Sequence, residues 1–188
     1  MFTRLAHRLI AKSEQLTGER SDFLRDMLAV DRAAFWKFAL FTPMARHTGA
    51  VPREAVFVAR IAATHAEDCG PCLQTVINYA TAARIDPAIL RAAVKGDVSS
   101  LNERLQTVFR FAEAVVTRDP LCDHEREKIE QWWGRAASVE LALAIASTRV
   151  FPTVKRAMGY AQACQQVIIA GETTSAPYRA GRLQELAG

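Results

Sequence analysis

Apolar residues recur every three or four positions along most of this chain, and this spacing predicts α-helices. The clearest predicted helix begins at Ser100, which has the spacing of a capping box with Glu103 three residues on. Its apolar stripe consists of Leu101, Leu105, Val108, Phe109, Ala112, Val115 and Val116. The chain has neither the two-residue alternation typical of strands nor an Asn-Gly or Asp-Gly hairpin turn. The pattern therefore predicts an all-α protein.

The C-terminal part of the pattern is interrupted once and then fades. Phe151-Pro152 breaks the apolar helical pattern, which we expect to resume from Thr153 to Ala170, because proline removes a backbone donor. From Gly171 onward small and turn-forming residues predominate. We therefore predict one helical domain over residues 1–171 and a loosely ordered tail over residues 172–188.

Two cysteines, Cys69 and Cys72, stand between two predicted helices within residues 52–84. Pro52 begins the first of these helices and Pro71 suits the first turn of the second. The Gly-Pro between the cysteines is also found in thioredoxins, but no buried strand leads into this pair. The pair is therefore predicted to lie at a helix–helix junction.

This position gives the cysteines a redox interpretation. Unpaired amides at a helix N-terminus stabilise a thiolate, and Cys72 lies just inside the second helix. His65 precedes Cys69 by one helical turn if the first helix extends that far. Glu67 and Glu54, together with Asp68, are the nearby carboxylates. A cysteine pair with a base and acids is what a dithiol redox centre requires.

Composition limits the remaining alternatives. The 188 residues fit one domain. The net charge of +4 is spread over the chain rather than clustered, which makes nucleic acid a poor candidate as partner. The four cysteines are too few for a secreted disulfide scaffold, and we see no apolar run that would span a bilayer. We find no phosphate-binding loop, serine nucleophile elbow or helical histidine pair. We therefore expect a cytoplasmic protein without a bound cofactor.

The N-terminal segment has helical spacing and no acidic residue before Glu14. Its basic, apolar pattern is compatible with a transit peptide or a membrane-surface helix. An amphipathic helix that packs on its own protein or on a sister subunit is the favoured interpretation. The aromatic residues Phe35, Trp36, Phe38 and Phe41 are interpreted as core rather than as the lining of a pocket.

Three segments stand in a characteristic order along the chain. The first is Val51-Pro52-Arg53-Glu54, the second is Cys69-Gly70-Pro71-Cys72 at a helix start, and the third is the later helical segment from Phe111 to Val115. In this layout the chain resembles the AhpD-like, carboxymuconolactone decarboxylase superfamily, over Phe23 to about Ile169. The resemblance implies a compact helical bundle of roughly eight or nine helices, and a homo-oligomer. It also implies an alkyl hydroperoxidase in which Cys72 attacks the peroxide and Cys69 resolves the product, with an external dithiol as reductant.

Two positions depart from the pattern of that family. The hydroperoxidase motif carries a histidine where this chain has Val76 and a glutamate where it has Phe57. His65 or Glu54 would then have to relay protons in their place.

Two other hypotheses remain for the cysteine pair. Cys69, Cys72 and His65 are possible ligands of a metal ion, with Cys122 or Cys164 as the fourth, although a second CxxC is absent. In the third hypothesis the protein is a non-enzymatic helical module whose cysteines are inert or sense redox state.

Overall fold

Helices make up most of the protein. The computed structural model describes residues 2–67, 69–160 and 166–176. Within these residues, nine helices have eight residues or more, and two short strands form a hairpin. The prediction of a helical fold with about eight or nine helices is confirmed. The helices are α1 (Phe2–Thr17), α2 (Asp22–Val30), α3 (Arg32–Ala39), the short α4 (Thr42–Ala45), α5 (Arg53–His65), α6 (Gly70–Ala82), α7 (Pro87–Lys95), α8 (Glu103–Thr117), α9 (Leu121–Trp133) and α10 (Arg135–Ala157).

Helix α5 is the centre of the main core. Its residues from Ala55 to Ala59 are all buried, as are those from Ile61 to His65. A helix that is apolar on nearly every side must be covered on nearly every side. Accordingly α5 packs against α6, α7, α8 and α10. The prediction of a buried helix before the cysteine pair is confirmed.

A second apolar cluster joins α1, α2 and α3. Ala6 and Ile10 of α1 pack with Met27, Leu28 and Phe35. The aromatic rings of this region contact one another, for example Phe38 with Phe23, Phe41 and Phe151. These contacts agree with the interpretation of the aromatic cluster as core.

Helix α8 begins later than its capping box predicts. Asn102 is the N-cap, and its side chain accepts a hydrogen bond from the Leu105 amide at 3.0 Å. Ser100 instead lies in a 3-10 turn (Val98–Ser100), and its hydroxyl donates to Asp97 at 2.6 Å. The predicted Ser100 cap is therefore wrong, because asparagine caps as well as serine and stands directly before the helix.

Helix α10 continues through the predicted break. Pro152 lies inside it, and the helix ends at Ala157. Pro152 is buried and follows Leu141 and Ile145 at intervals of four and seven residues, which puts all three on one face. Burial of that face outweighs the hydrogen bond that proline cannot donate.

Strands β1 (Gln166–Ile169) and β2 (Glu172–Ser175) form an antiparallel hairpin in which Ile169 pairs with Glu172. Ala170 and Gly171 form the two-residue loop and have φ angles of 51° and 82°. Two positive φ values match a type I′ turn, which fits the twist of a hairpin. The predicted helix to Ala170 is therefore wrong, and residues 172–175 belong to the fold rather than to a loose tail. The rest of that tail, from residue 177, lies outside the described residues.

The hairpin packs against α6 and α7. Val167, Ile169 and Thr174 are buried, whereas Ile168 points outward. The hairpin thus covers one side of α6, the helix that begins at the cysteine pair.

By length and composition alone, α10 is apolar enough to cross a bilayer. The same is true of core helices in soluble proteins, and α10 packs against α4, α5, α8 and α9. The expectation of no membrane span stays a prediction.

Candidate functional site: the cysteine pair between α5 and α6

The cysteine pair lies where α5 ends and α6 begins. Cys69 precedes α6 in an extended conformation, with φ −130° and ψ 93°, and Pro71 lies in the first turn. Cys72 is the third residue of this helix. The predicted helix–helix junction is confirmed, as is the place of Pro71, whose fixed φ suits a helix start.

Cys69 and Cys72 are joined by a disulfide whose S–S distance is 2.26 Å. Their Cα atoms are 5.3 Å apart, which lies within the usual range for a disulfide. The two residues are only 3% and 7% exposed. Such a pair can accept or supply two electrons by thiol–disulfide exchange once a reactant reaches a sulfur.

Both cysteines take part in the backbone hydrogen bonds that begin α6. The amides of Cys72 and Leu73 both donate to the carbonyl oxygen of Cys69, each at 3.0 Å. Pro71 has no amide hydrogen to offer. Any stabilisation of a Cys72 thiolate by this helix end would therefore come from the field of the aligned peptide dipoles, since the Cys72 amide is already engaged.

Glu67, two residues before Cys69, is buried and contacts α10. Its Oε1 accepts from Nε of Arg149 at 2.6 Å, and its Oε2 lies 3.4 Å from Nη1 of Arg156. Nη2 of Arg156 also donates to the backbone carbonyl of Glu67. This carboxylate, predicted as one of the acids of a dithiol redox centre, thus holds two ion pairs.

Sequence reasoning missed both arginines. They belong to α10, more than eighty positions after Glu67. The available signal was their spacing of seven residues, which puts two cations on one face of the helix. That signal does not identify the acid they pair with.

His65 does not stand in the predicted helical relation to Cys69. Helix α5 ends at His65 itself, so the two residues do not share a helix face. The imidazole is buried, and its ring centroid lies 6.0 Å from that of Phe109 in α8. The same-face prediction fails because the chain leaves the helix before Cys69.

Glu54 lies in the first turn of α5, at the opposite end of the helix from the cysteines. The eleven helical steps from Glu54 to His65 correspond to about 16 Å along the helix axis. The structure therefore brings Cys69, Cys72 and Glu67 into one region of the molecule but not Glu54. Asp68 and Cys164 lie outside the described residues.

The two positions that depart from the hydroperoxidase motif carry apolar side chains that lie in the main core or against it. Phe57 is buried in the core, and the guanidinium of Arg60 lies 5.5 Å from its ring centroid. Burial lowers the pKa of Arg60. Val76 packs against the main core from a partly buried position. Neither position supplies a proton-transferring group.

The metal hypothesis finds no set of ligands in the described part of the chain. No group of three or more histidine, cysteine, aspartate or glutamate side chains is close enough there to hold an ion. Cys122, the predicted alternative fourth ligand, is a free thiol within α9.

Comparisons of the chain with protein-family models, with curated proteins and with solved structures found no match.

Proposed function

We propose that this chain is a dithiol–disulfide oxidoreductase in which Cys69 and Cys72 pass two electrons to a hydroperoxide. The observation that carries the proposal is the bond between the two sulfurs at the start of α6. Both cysteines lie within one turn of that helix start, so the pair can open and close without displacing either flanking helix.

The first step assigns the attack to Cys72. Its thiolate attacks the outer oxygen of the hydroperoxide, which breaks the O–O bond, transfers that oxygen to Cys72 as a sulfenic acid and displaces an alkoxide. The leaving alkoxide takes up a proton and departs as an alcohol. The dipole of α6 supports this assignment, because Cys72 lies inside the first turn, where a thiolate is stabilised.

In the second step the thiol of Cys69 condenses with the sulfenic acid. This step forms the disulfide and releases water. An external dithiol then restores both thiols by exchange and is itself oxidised to a disulfide.

Of the three residues considered for proton transfer, His65, Glu67 and Glu54, we propose His65 as the proton donor. The Glu67 carboxylate is engaged by Arg149 and Arg156, and Glu54 lies about 16 Å further along α5. We therefore assign Glu67 to positioning the cysteine loop rather than to proton transfer.

The resemblance to the AhpD-like superfamily supports the same activity. It also supports a homo-oligomer, and the composition of the chain supports a cytoplasmic location. The departures at Phe57 and Val76 imply that proton transfer in this chain would follow a route different from that of the family.

A second candidate is a helical module whose cysteines are redox-inert or redox-sensing. The burial of both cysteine residues, more than nine-tenths complete, favours it. Buried cysteines in apolar surroundings often serve as small core residues. This candidate predicts that the reduced thiols react with peroxide only after unfolding.

The test uses pre-reduced protein, a stoichiometric amount of cumene hydroperoxide and a dimedone trap, followed by intact mass. We expect the wild type to lose two thiols rapidly, and Cys69→Ser to accumulate trapped sulfenate on Cys72. Cys72→Ser should not react at this motif. Cys122→Ser, which changes a free thiol elsewhere, should behave as wild type. Full peroxide turnover in Cys72→Ser would refute the assignment, and thiols that react only in urea would support the inert module.

A further inference from the structure

Helix α1 carries a row of leucines that the rest of the described chain covers only in part. Leu5, Leu9 and Leu16 are 48%, 43% and 44% exposed. Their intervals of four and seven residues put them on one line along the helix. A single exposed leucine needs no explanation, but three in a row on one helix do.

The buried face of α1 is formed by the residues that directly follow these leucines in the sequence. Ala6, Ile10 and Thr17 repeat the same intervals and are almost fully buried. The apolar surface of α1 is therefore wider than the face that its own protein covers.

On the other side of the leucines lies a row of cations. Arg4, Arg8 and Lys12 are all exposed, and their spacing of four residues puts them beside the leucine row. No acidic residue occurs from Thr3 to Ser13. Leucines flanked by long basic side chains are typical of helices that lie in a membrane interface, where the cations remain at the headgroups.

We propose that α1 docks on a bilayer surface that contains anionic lipids, with Leu5, Leu9 and Leu16 entering the headgroup–acyl boundary. Charge decides between this partner and a second copy of the chain. A second copy would bring the same three cations against the first set. Glu14, the first acid of the helix, is already paired with Arg25 and accepts the Ser21 amide.

The experiment measures sedimentation of the full chain with vesicles of phosphatidylcholine, with or without about 30 mol% phosphatidylglycerol. We expect binding to the anionic vesicles that weakens in about 0.5 M salt. Arg4→Gln with Arg8→Gln should weaken it by about 25-fold, since each basic residue near such a surface contributes about a factor of five. Leu5→Ser with Leu9→Ser should weaken it by roughly tenfold or more.

Val139→Ser is the matched control, because Val139 is 52% exposed on α10. It should bind as wild type, and all variants should keep the helical circular dichroism of the parent. Absence of wild-type binding to anionic vesicles would overturn the proposal, as would unchanged binding of the leucine variant. If sedimentation velocity without lipid instead shows an oligomer that the leucine variant dissociates, while no vesicle binding occurs, the row is an interface between copies and the proposal is wrong.

Discussion

Nε of Arg149 lies 2.6 Å from Oε1 of Glu67, although 82 positions separate the two residues. This contact ties α10 to the loop that leads into Cys69. Glu67 is almost fully buried, whereas the side chain of Arg149 is 43% exposed. Because the carboxylate is buried, solvent screens its ion pairs less than it screens a pair between two exposed side chains, so their loss costs more.

We predict that Glu67→Gln lowers the free energy of unfolding by about 1–3 kcal/mol. The amide keeps the shape of the carboxylate but loses both ion pairs with α10. Urea denaturation of the oxidised protein measures the effect. Glu172→Gln is the matched control, since Glu172 is 73% exposed and lies 3.7 Å from Arg91. The control should change stability by less than about 0.5 kcal/mol; equal effects of the two variants would contradict a positioning role for Glu67.

Reduction of the Cys69–Cys72 disulfide should leave the fold intact. The ring closed by this bond is very short, so the chain-entropy model gives it roughly 2 kcal/mol at most. We expect reduced protein to keep its far-ultraviolet circular dichroism and to unfold at slightly lower urea concentration. Cys122→Ser, given the same reductant, should show the same shift. Unfolding on reduction at 25 °C would instead identify the bond as a structural staple and count against a redox cycle.

A pH-dependent contribution to stability is expected from Lys155. Desolvation lowers its pKa below 10.5, while the charge of Glu19 acts in the opposite direction. Between the lowered pKa and 10.5 the unfolded chain holds more protons than the folded one. The free energy of unfolding therefore rises with pH across that interval.

Lys155→Met removes this term, so the variant should be more stable than wild type near neutral pH. The difference should shrink as the pH rises towards 10.5. Thermal unfolding at several pH values measures it, with Lys95→Met as the control, because Lys95 is exposed at the end of α7. A difference in stability between Lys155→Met and wild type that stays constant with pH would refute the prediction.

Periodicity sufficed to predict the helical fold because the main helices other than α5 bury mainly one face. The break at Pro152 was predicted from a local rule, and packing of Leu141, Ile145 and Pro152 on one face overrode that rule. The hairpin was missed because Ala170-Gly171 is not among the dipeptides that favour a type I′ turn. Four-residue strands also show too little alternation to be recognised.

Only those features of the site that depend on residues close together in the sequence were predictable. The cysteine pair and the start of α6 follow from neighbouring residues, whereas the partners of Glu67 come from α10. His65 was misplaced because the end of α5 has no glycine or other clear stop signal in the sequence. Contacts between distant segments depend on tertiary packing, which a single sequence does not disclose.

The turn of the hairpin offers a test of backbone strain. Ala170 has φ 51°, a region that costs a residue with a Cβ atom about 1 kcal/mol or more. Ala170→Gly should therefore stabilise the protein by about 0.5–1 kcal/mol. Gly171→Ala, at φ 82°, should destabilise it by a similar amount. Urea midpoints measure both variants, and shifts of the same sign would show that the two positions do not form this turn.

Gln74, which lies in α6 two residues after Cys72, forms hydrogen bonds with the hairpin. Its Oε1 accepts from the Ile168 amide at 2.7 Å, and its Nε2 donates to the Ile168 carbonyl at 3.1 Å. Nε2 also donates to Asn78, whose own amide reaches the carbonyl of Thr17 in α1. One side chain thus pairs with the outward backbone groups of β1 as a neighbouring strand would.

We predict that Gln74→Ala destabilises the protein by about 1–2 kcal/mol and speeds hydrogen exchange at the Ile168 amide. Gln74→Glu keeps the acceptor for that amide but loses the donor to its carbonyl, so exchange there should remain closer to wild type. Gln131→Ala, at an exposed position of α9, is the control for loss of a glutamine side chain. If exchange at Ile168 is the same in Gln74→Ala and Gln131→Ala, the hairpin is held by burial of Val167 and Ile169 alone. A selective increase in Gln74→Ala would instead show that a residue of the cysteine-bearing helix holds the C-terminal hairpin in place.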